Sequence, residues 1–481
     1  MSATAFPAAE IPSDTPSPGA HAAVRELLDL LGPVAVMAGA DVPARNRNDY
    51  SGLLPTEPLA VVRPASTAEV AATLRICHAH GVAVVPQGGL TGLCGGGRAQ
   101  DGEIALSLER MTGIEEIDPA AATMTLAAGT PLETVQQAAD AAGFFCPLDL
   151  GARGSCAIGG NLSTNAGGNR VIRYGMAREM VLGLEVVMAD GTVVNSLNKM
   201  IKNNAGFDLK HLFIGSEGTL GVITRIVLRL FPKPGSRMVA MCACEDYATV
   251  LRLLGEARSG LGPLMSAFEV MWPDYWGRAV NELRARNPFA GDDTAYGAYV
   301  LIEALGTDPE ADLPRFEAWL ERLLEQGVVP NAVVAQSLAD EQALWGVRDA
   351  CGELHQTWPG HLAFDIGLPQ TAMDHYARAC KAELAEKVPG CETVFYGHIG
   401  DGNVHIVAYR AGDAEQPKDA VEEVVYGLVQ KFGGTVSAEH GIGTLKRRWL
   451  GHARSPEQIE LMRTLKLALD PKGILNPGKV L

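Results

Sequence analysis

The chain has 481 residues, 47% of them hydrophobic and 20% charged, which is the composition of a folded protein too long for one ordinary core. Its 56 acidic residues against 40 basic ones leave a formal charge of −16, which repels phosphate backbones and excludes nucleic acid from the expected partners. No apolar run reaches membrane-span length, so no integral membrane contact is expected, and the nine cysteines, odd in number and without a C-x-x-C pair, argue against a disulfide framework, a zinc ribbon or an iron–sulfur module and for a reducing cytoplasm.

Residues 1–20 are rich in Ala, Pro and Ser and lack both a basic start and an apolar block, so they read as a flexible tail and not as a signal peptide. The first half then alternates strand and helix. Leu59–Arg63 reads as a strand ended by Pro64, and Ser66 with Glu69 predicts a capping box for a helix over Thr67–Ala79 stopped by Gly81. Val82–Pro86 and Ile104–Leu108 read as strands, and Pro131–Ala142 as a helix with Pro at its first position. Leu184–Ala189 and Thr192–Asn195 flank Asp190-Gly191, a hairpin signal, and Val222–Phe231 is a β-forming run closed by Pro232. Beyond residue 237, strands near 238–244, 298–303 and 361–368 alternate with amphipathic helices near 246–258, 308–326, 338–354 and 369–387, which predicts an α+β layer with helices over one face. Cys242 and Cys244 alternate with Ala and read as strand residues. Helices over Gln416–Phe432 and Pro456–Leu469 precede a turn-rich tail.

Three glycine-rich stretches carry the first chemical signal. The strand ending at Pro86 runs into Gln87-Gly88-Gly89-Leu90-Thr91-Gly92, then Gly95-Gly96-Gly97. Backbone without Cβ atoms can approach an anion and aim several N–H groups at it, and a pyrophosphate suits such a loop. Taken alone, a surface turn explains it as well. It matches neither G-x-G-x-x-G nor a P-loop, which disfavours a nicotinamide-type Rossmann site. The second stretch, from Leu150-Gly151 through Ser155 and Gly159-Gly160-Asn161 to Ser163-Thr164-Asn165 and Gly168, interleaves glycine with short polar side chains, as an extended polar ligand requires. The third, Gly215-Ser216-Glu217-Gly218-Thr219-Leu220-Gly221-Val222-Ile223, follows the same logic before a strand.

These stretches resemble the FAD domain of the vanillyl-alcohol oxidase / p-cresol methylhydroxylase flavoprotein family, from about Asp49 to the C-terminus. The resemblance implies that the first loop holds the FAD pyrophosphate and that the other two line its isoalloxazine and adenosine portions. The implied cofactor-binding residues are Pro86, Gln87, Gly88, Gly89, Leu90, Thr91, Gly92, Leu150, Gly151, Ser155, Gly159, Gly160, Asn161, Ser163, Thr164, Asn165, Gly168, Glu217, Gly218, Gly221, Ile223 and Asn476. Several relatives tether the flavin covalently through a His in the first loop. The corresponding residue here is Leu90, and Cys94 and Cys156 read as packing residues, so non-covalent FAD is expected.

The C-terminal half carries Tyr396-Gly397-His398-Ile399-Gly400-Asp401-Gly402-Asn403-Val404-His405. Read as a hairpin with the turn Gly400–Asn403, it sets His398 opposite His405, with Cβ atoms ~5 Å apart, as two imidazoles sharing an ion require. Ser437-Ala438-Glu439-His440-Gly441 adds a carboxylate. Two His and one Glu make a three-ligand site with an open position, the set of a catalytic Zn²⁺; the plainer alternative is two turn histidines and a capping Glu. His398, His405 and Glu439 coincide with the metal-ligand pattern of the FAD-dependent D-2-hydroxyacid dehydrogenase branch, which includes D-lactate and D-2-hydroxyglutarate dehydrogenases and the glycolate oxidase flavoprotein subunit. The resemblance places the general base at His440 and the substrate-carboxylate arginine at Arg348. The chain departs from the hydroxyglutarate enzymes at Gly352, Ala363 and Val407, where they carry Thr, Lys and Asn; His355 and His361 are nearby substitutes that the spacing does not demand.

The expectation is therefore an α+β protein. A two-subdomain FAD-binding domain of p-cresol methylhydroxylase (PCMH) type spans residues 21–235. An inserted α+β substrate domain of antiparallel sheet and helices, bearing metal ligands, spans residues 236–435, and residues 436–481 return to the FAD domain. The expected reaction is metal-assisted oxidation of a small D-2-hydroxy acid to the 2-oxo acid, with hydride to flavin N5. The alternatives are an FAD-dependent alcohol oxidase acting on a phenolic or polyol substrate and, from another class, a metal-dependent hydrolase using the glycine loops for a phosphorylated substrate. No fused redox module is present, so electrons leave to oxygen or to a separate acceptor: a quinone, an electron-transfer flavoprotein or a cytochrome. A homodimer is left open.

Overall fold

The computed structural model describes residues 18–413 and 415–481. The expected N-terminal tail lies mostly outside them, and a helix over Pro18–Leu31 already occupies its last three residues.

Two sheets share one core in the first half. Val36–Ala38, Ala60–Val62, Ile104–Ser107 and Val84–Gln87 lie side by side in that order, the last three parallel. Parallel strands are covered on both faces, which explains their unbroken Val, Ile and Leu runs. The helix Thr67–His80 connects two of them. Ser66 Oγ accepts from Glu69 N at 3.2 Å, but Glu69 Oε2 reaches past Ser66 to accept from Ala65 N at 2.8 Å, so the expected capping box closes one residue early. The C-terminal segment adds to this sheet: Val84 N donates to Ile474 O and Asn476 N donates to Val84 O. The second sheet is antiparallel, in the order Ile114–Asp118, Thr123–Ala127, Val222–Arg229, Val181–Val187, Val193–Ser196. It contains the Asp190-Gly191 hairpin. Leu106, Leu126, Ile158, Val186, Ile226 and Leu475 belong to one buried cluster that binds the two sheets together.

The second half is built on a seven-stranded antiparallel sheet: Asn331–Val334, Ser236–Cys244, Ala298–Gly306, Met265–Met271, Cys391–Gly397, Asn403–Arg410, Leu362–Gly367. Helices cover both of its faces, not one as expected. Ala240, Cys242, Phe268 and Ile302 pack with Tyr247, Phe316, Tyr376 and Val424, from the helices Tyr247–Gly260, Pro309–Glu325, Met373–Lys387 and Lys418–Lys431. Val239, Met241, Met271 and Leu301 pack on the other side with Tyr275, Trp276, Leu344 and Val347, from Pro273–Asn281 and Leu338–Asp349. Every residue of Ser236–Cys244 except Arg237 is buried, the sign of a strand covered on both faces. The central strand Met265–Met271, also wholly buried, carries two polar residues, Ser266 and Glu269, which hid it among helical segments in the sequence.

An ion cluster ties the halves together. Arg170 donates through Nε and Nη2 to Glu303, at 2.9 and 3.1 Å, and through Nη1 to Asp149 Oδ2 at 2.9 Å. Glu303 is wholly buried on the large sheet, so removing one partner of this pair costs about 3–5 kcal/mol.

Candidate active site

The three glycine-rich stretches converge. Glu217 N donates to Ser163 O at 2.8 Å and Gly215 N to Leu162 O at 3.0 Å, while a Cβ on Gly89 would overlap the carbonyl of Ser155. Asn476 clasps two of them, its Nδ2 donating to Gly96 O and Glu217 O. Of the implied cofactor residues, several side chains are spent on the protein itself. Gln87 bonds Asn46 and Gly97 O, Ser163 Oγ donates to Gly159 O, Asn165 Oδ1 accepts from Arg178 N, and Ile223 lies in the core. Glu217 accepts from Ile442 N and Gly443 N at 2.6 and 2.8 Å, and burial pushes its carboxyl above the usual range despite those bonds. What these stretches offer a ligand is backbone. A Cβ on Gly160 would meet no atom within 4 Å, so the glycine there leaves an open face. Leu90 takes a left-handed φ of 59° in the first loop, and burial pushes the Cys94 thiol up to about 12. Neither residue offers a nucleophile.

The histidine pair comes together by a different route from the one read in the sequence. The ladder pairs Tyr396, not His398, with His405, and the first strand ends at Gly397. His398 begins the loop, and its carbonyl accepts from the N–H groups of Asp401, Gly402 and Asn403, which closes a longer turn than expected. The two rings still meet, with centroids 5.2 Å apart. His398, His405 and Glu439 each present a donor atom within 4.8 Å of the others, so this group could hold a metal ion. His405 and His440 stack with centroids 6.1 Å apart.

A second group of the same compactness, Asp365, His405 and His440, is a poorer set of donors. Asp365 Oδ2 already accepts from Ser437 Oγ and from the N–H groups of Ala438, Glu439 and His440, between 2.9 and 3.2 Å, and Oδ1 accepts from Asn403 Nδ2. Burial alone would raise its carboxyl, but His440, Lys446 and His405 outweigh that and hold it well below the usual range. Asp365 thus fixes the loop that carries Glu439 and His440, and Glu217 holds the far side of the same loop.

Arg348 is brought to the histidines, which its place in a helix did not foretell. It is 7% exposed, donates through Nε to Glu269 Oε2 at 2.8 Å, and has Nη2 3.2 Å from His398 Nε2. Glu269 Oε1 bonds His398 Nδ1 at 2.6 Å. Burial depresses the imidazole, but Glu269 prevails and holds it up at about 9, while the same pairing holds Glu269 down at about 2. Sequence reasoning missed both Glu269 and Asp365. Each is an isolated carboxylate in an apolar strand, and the only signal was the cost of burying a charge without partners. His355 and His361 fold back on their own turns, with Nδ1 against Gly352 O and Trp358 O.

The histidine group and the glycine cradle touch. Glu439 Oε1 accepts from Gly168 N at 2.6 Å, so a carboxylate of the first belongs to the wall of the second.

Comparison with known proteins identifies the family. Residues 58–196 match the family model "FAD binding domain" and residues 233–480 match "FAD linked oxidases, C-terminal domain". The chain is 41% identical over 421 residues to the mitochondrial D-2-hydroxyglutarate dehydrogenase of Bos taurus, covering 88% of this chain and 76% of that one. It is 39% identical over 437 residues to the D-2-hydroxyglutarate dehydrogenase of Xanthomonas citri pv. viticola, covering 90% and 91%. The solved structure of p-cresol methylhydroxylase with substrate bound shares the fold at a TM-score of 0.77 and 17% identity, covering 97% of each chain. The chain therefore belongs to the FAD-linked oxidase family, in the branch that holds these dehydrogenases.

Proposed function

We propose that this chain oxidises the hydroxyl of a small D-2-hydroxy acid to the 2-oxo acid at the junction of cradle and histidine group. The observation that carries the reading is the Glu439–Gly168 bond, which makes one site of two. The residues suit both groups the reaction needs. The backbone cradle, open at Gly160, suits FAD, and the ring nitrogens of His405 make no hydrogen bond among the described residues, which leaves them free for an ion. His398, His405 and Glu439 would hold a divalent cation, for which the two-nitrogen, one-carboxylate set favours Zn²⁺. When bound, FAD supplies the hydride acceptor at N5, and the cation supplies polarisation of the hydroxyl.

The remaining steps belong to side chains. Arg348 binds the substrate carboxylate through the guanidinium edge that Glu269 leaves free, a planar match that Lys lacks. His440, held by Asp365 through its backbone N–H and with its side chain 24% exposed, takes the hydroxyl proton on its ring, which drives electron density toward the α-carbon. FAD is held without a covalent bond, because Leu90 has nothing to form one with. Beyond His405 the same face of the sheet continues through Val407 and Ala363, which pair with each other. That apolar stretch supports an acid with an uncharged tail over D-2-hydroxyglutarate, the substrate in the names of the relatives. Electrons leave to a separate acceptor. Among the described residues no helix is long and apolar enough to cross a membrane.

The test is a panel of D- and L-2-hydroxy acids, D-lactate and D-2-hydroxyglutarate included, assayed with an artificial dye acceptor. Turnover of D acids with uncharged tails is expected. Turnover confined to phenolic or polyol alcohols would overturn the reading.

A further inference from the structure

One carboxylate joins the two binding duties assigned above. Glu269 stands on the central strand Met265–Met271 and is 1% exposed. Its neighbours Phe268 and Val270 face the core on one side of the sheet, so Glu269 points to the other. There each of its oxygens has one strong partner: Oε1 meets His398 Nδ1 at 2.6 Å, and Oε2 accepts from Arg348 Nε at 2.8 Å. A carboxylate this deeply buried is costly unless paired, and its partners are the residue offered to the metal and the residue offered to the substrate carboxylate.

We propose that Glu269 is a positioning residue that couples metal binding to substrate binding. By accepting from Nδ1 it fixes the His398 ring with Nε2 as the acceptor nitrogen, whose lone pair takes the Arg348 Nη2 hydrogen bond in the metal-free protein and would pass to an ion on binding. By accepting from Nε it locks the Arg348 guanidinium with Nη2 turned to the His398 ring, 3.2 Å from that same Nε2. The carboxylate-binding edge and the ion-binding nitrogen are therefore adjacent and held by one residue. The hydroxyl and carboxylate of a 2-hydroxy acid stand on neighbouring carbons, so this adjacency suits that class and not a simple alcohol. A neutral amide cannot do both jobs: Gln presents one acceptor and one NH₂ donor, so either His398 or Arg348 would face a donor.

The inference rests on the metal and substrate roles proposed above, and its test separates the two. Wild type, Glu269→Gln and Arg348→Lys are purified with FAD. Zn²⁺ affinity is measured by chelator competition with elemental analysis, and KM and kcat for the best D-2-hydroxy acid are measured in excess Zn²⁺. Glu269→Gln is expected to lose Zn²⁺ affinity by about 10–100-fold and to raise KM even in excess Zn²⁺, with FAD content unchanged. Glu269→Asp, which keeps the charge, recovers part of both. Arg348→Lys raises KM and leaves Zn²⁺ affinity unaltered. A folded Glu269→Gln with wild-type Zn²⁺ affinity and KM would overturn the inference while the reading stands. A wild type that binds no Zn²⁺, or an Arg348→Lys with unaltered KM, overturns the reading and the inference with it. Should Glu269→Gln fail to fold, NMR of the Zn²⁺-loaded wild type decides. A slowly exchanging downfield proton on His398 Nδ1, lost in His398→Ala, is expected, and an unprotonated Nδ1 overturns the coupling.

Discussion

The glycine cradle and the histidine group touch one another but are specified differently. The cradle is made by three contiguous stretches whose chemistry is backbone, so each announces itself locally. The histidine group draws on Glu269, Arg348, Asp365, His398, His405, Glu439 and His440, which run from position 269 to position 440 and come from three strands, one helix and two loops. Its ligands can be guessed from spacing, but the carboxylates that orient them cannot. A buried polar site is held by residues that look unremarkable in sequence, because what distinguishes them is the partner that folding brings.

The cradle yields the largest expected effect. Gly160→Val adds a side chain where no protein atom lies within 4 Å of the Cβ, so the fold should tolerate it while FAD retention is abolished. Gly89→Ala is the contrast: its Cβ would overlap Ser155 O, so thermal unfolding of the apoprotein should show the loss of stability itself. A Gly160→Val protein that still binds stoichiometric FAD would remove that position from the site.

His440→Ala sharpens the other side. Rapid mixing with substrate should show flavin reduction slowed by on the order of 10²–10⁴-fold for loss of a general base, with metal and FAD content retained. Wild-type bleaching would exclude His440 as the base, and loss of metal would recast it as a ligand.

The smallest effect is in pH. His398 is held up at about 9 by Glu269, so a metal must displace a proton from it below that value. Zn²⁺ affinity, corrected for hydrolysis, should rise with pH up to about 9 and then level. Stability of the metal-free protein should run the other way. The folded value lies above the unfolded one of ~6.5, so the His398 contribution is full below ~6.5 and is lost as pH rises through about 9. Flat Zn²⁺ affinity across that window would remove Glu269 as the group that raises the imidazole.

The sequence was a good guide where local pattern decides. The helix Pro456–Leu469 falls where it is expected, and the parallel strands follow their apolar runs. It misled where tertiary partners decide. The spacing predicts the four-residue turn Gly400–Asn403, because nothing local shows that the His398 carbonyl gathers three N–H groups. The pattern predicts helices on one face, whereas they cover both, and Met265–Met271, interrupted by Ser266 and Glu269, carries no strand signal. At the site, His398, His405, Glu439 and Arg348 were legible through resemblance and spacing, and the structure brings all four together. Asp365 and Glu269 were not, because a single carboxylate in an apolar run carries no pattern.

The central claim is that the histidine group and the flavin cradle act as one site on D-2-hydroxy acids. It is tested most directly by anaerobic mixing of the holoenzyme with a D-2-hydroxy acid, following flavin bleaching before chelation, after chelation and after restoring Zn²⁺. Bleaching by the D acid but not its L form, lost on chelation and recovered with the ion while the oxidised flavin spectrum stays intact, is the expected result. Full-rate bleaching by a protein in which elemental analysis finds no divalent metal would contradict it.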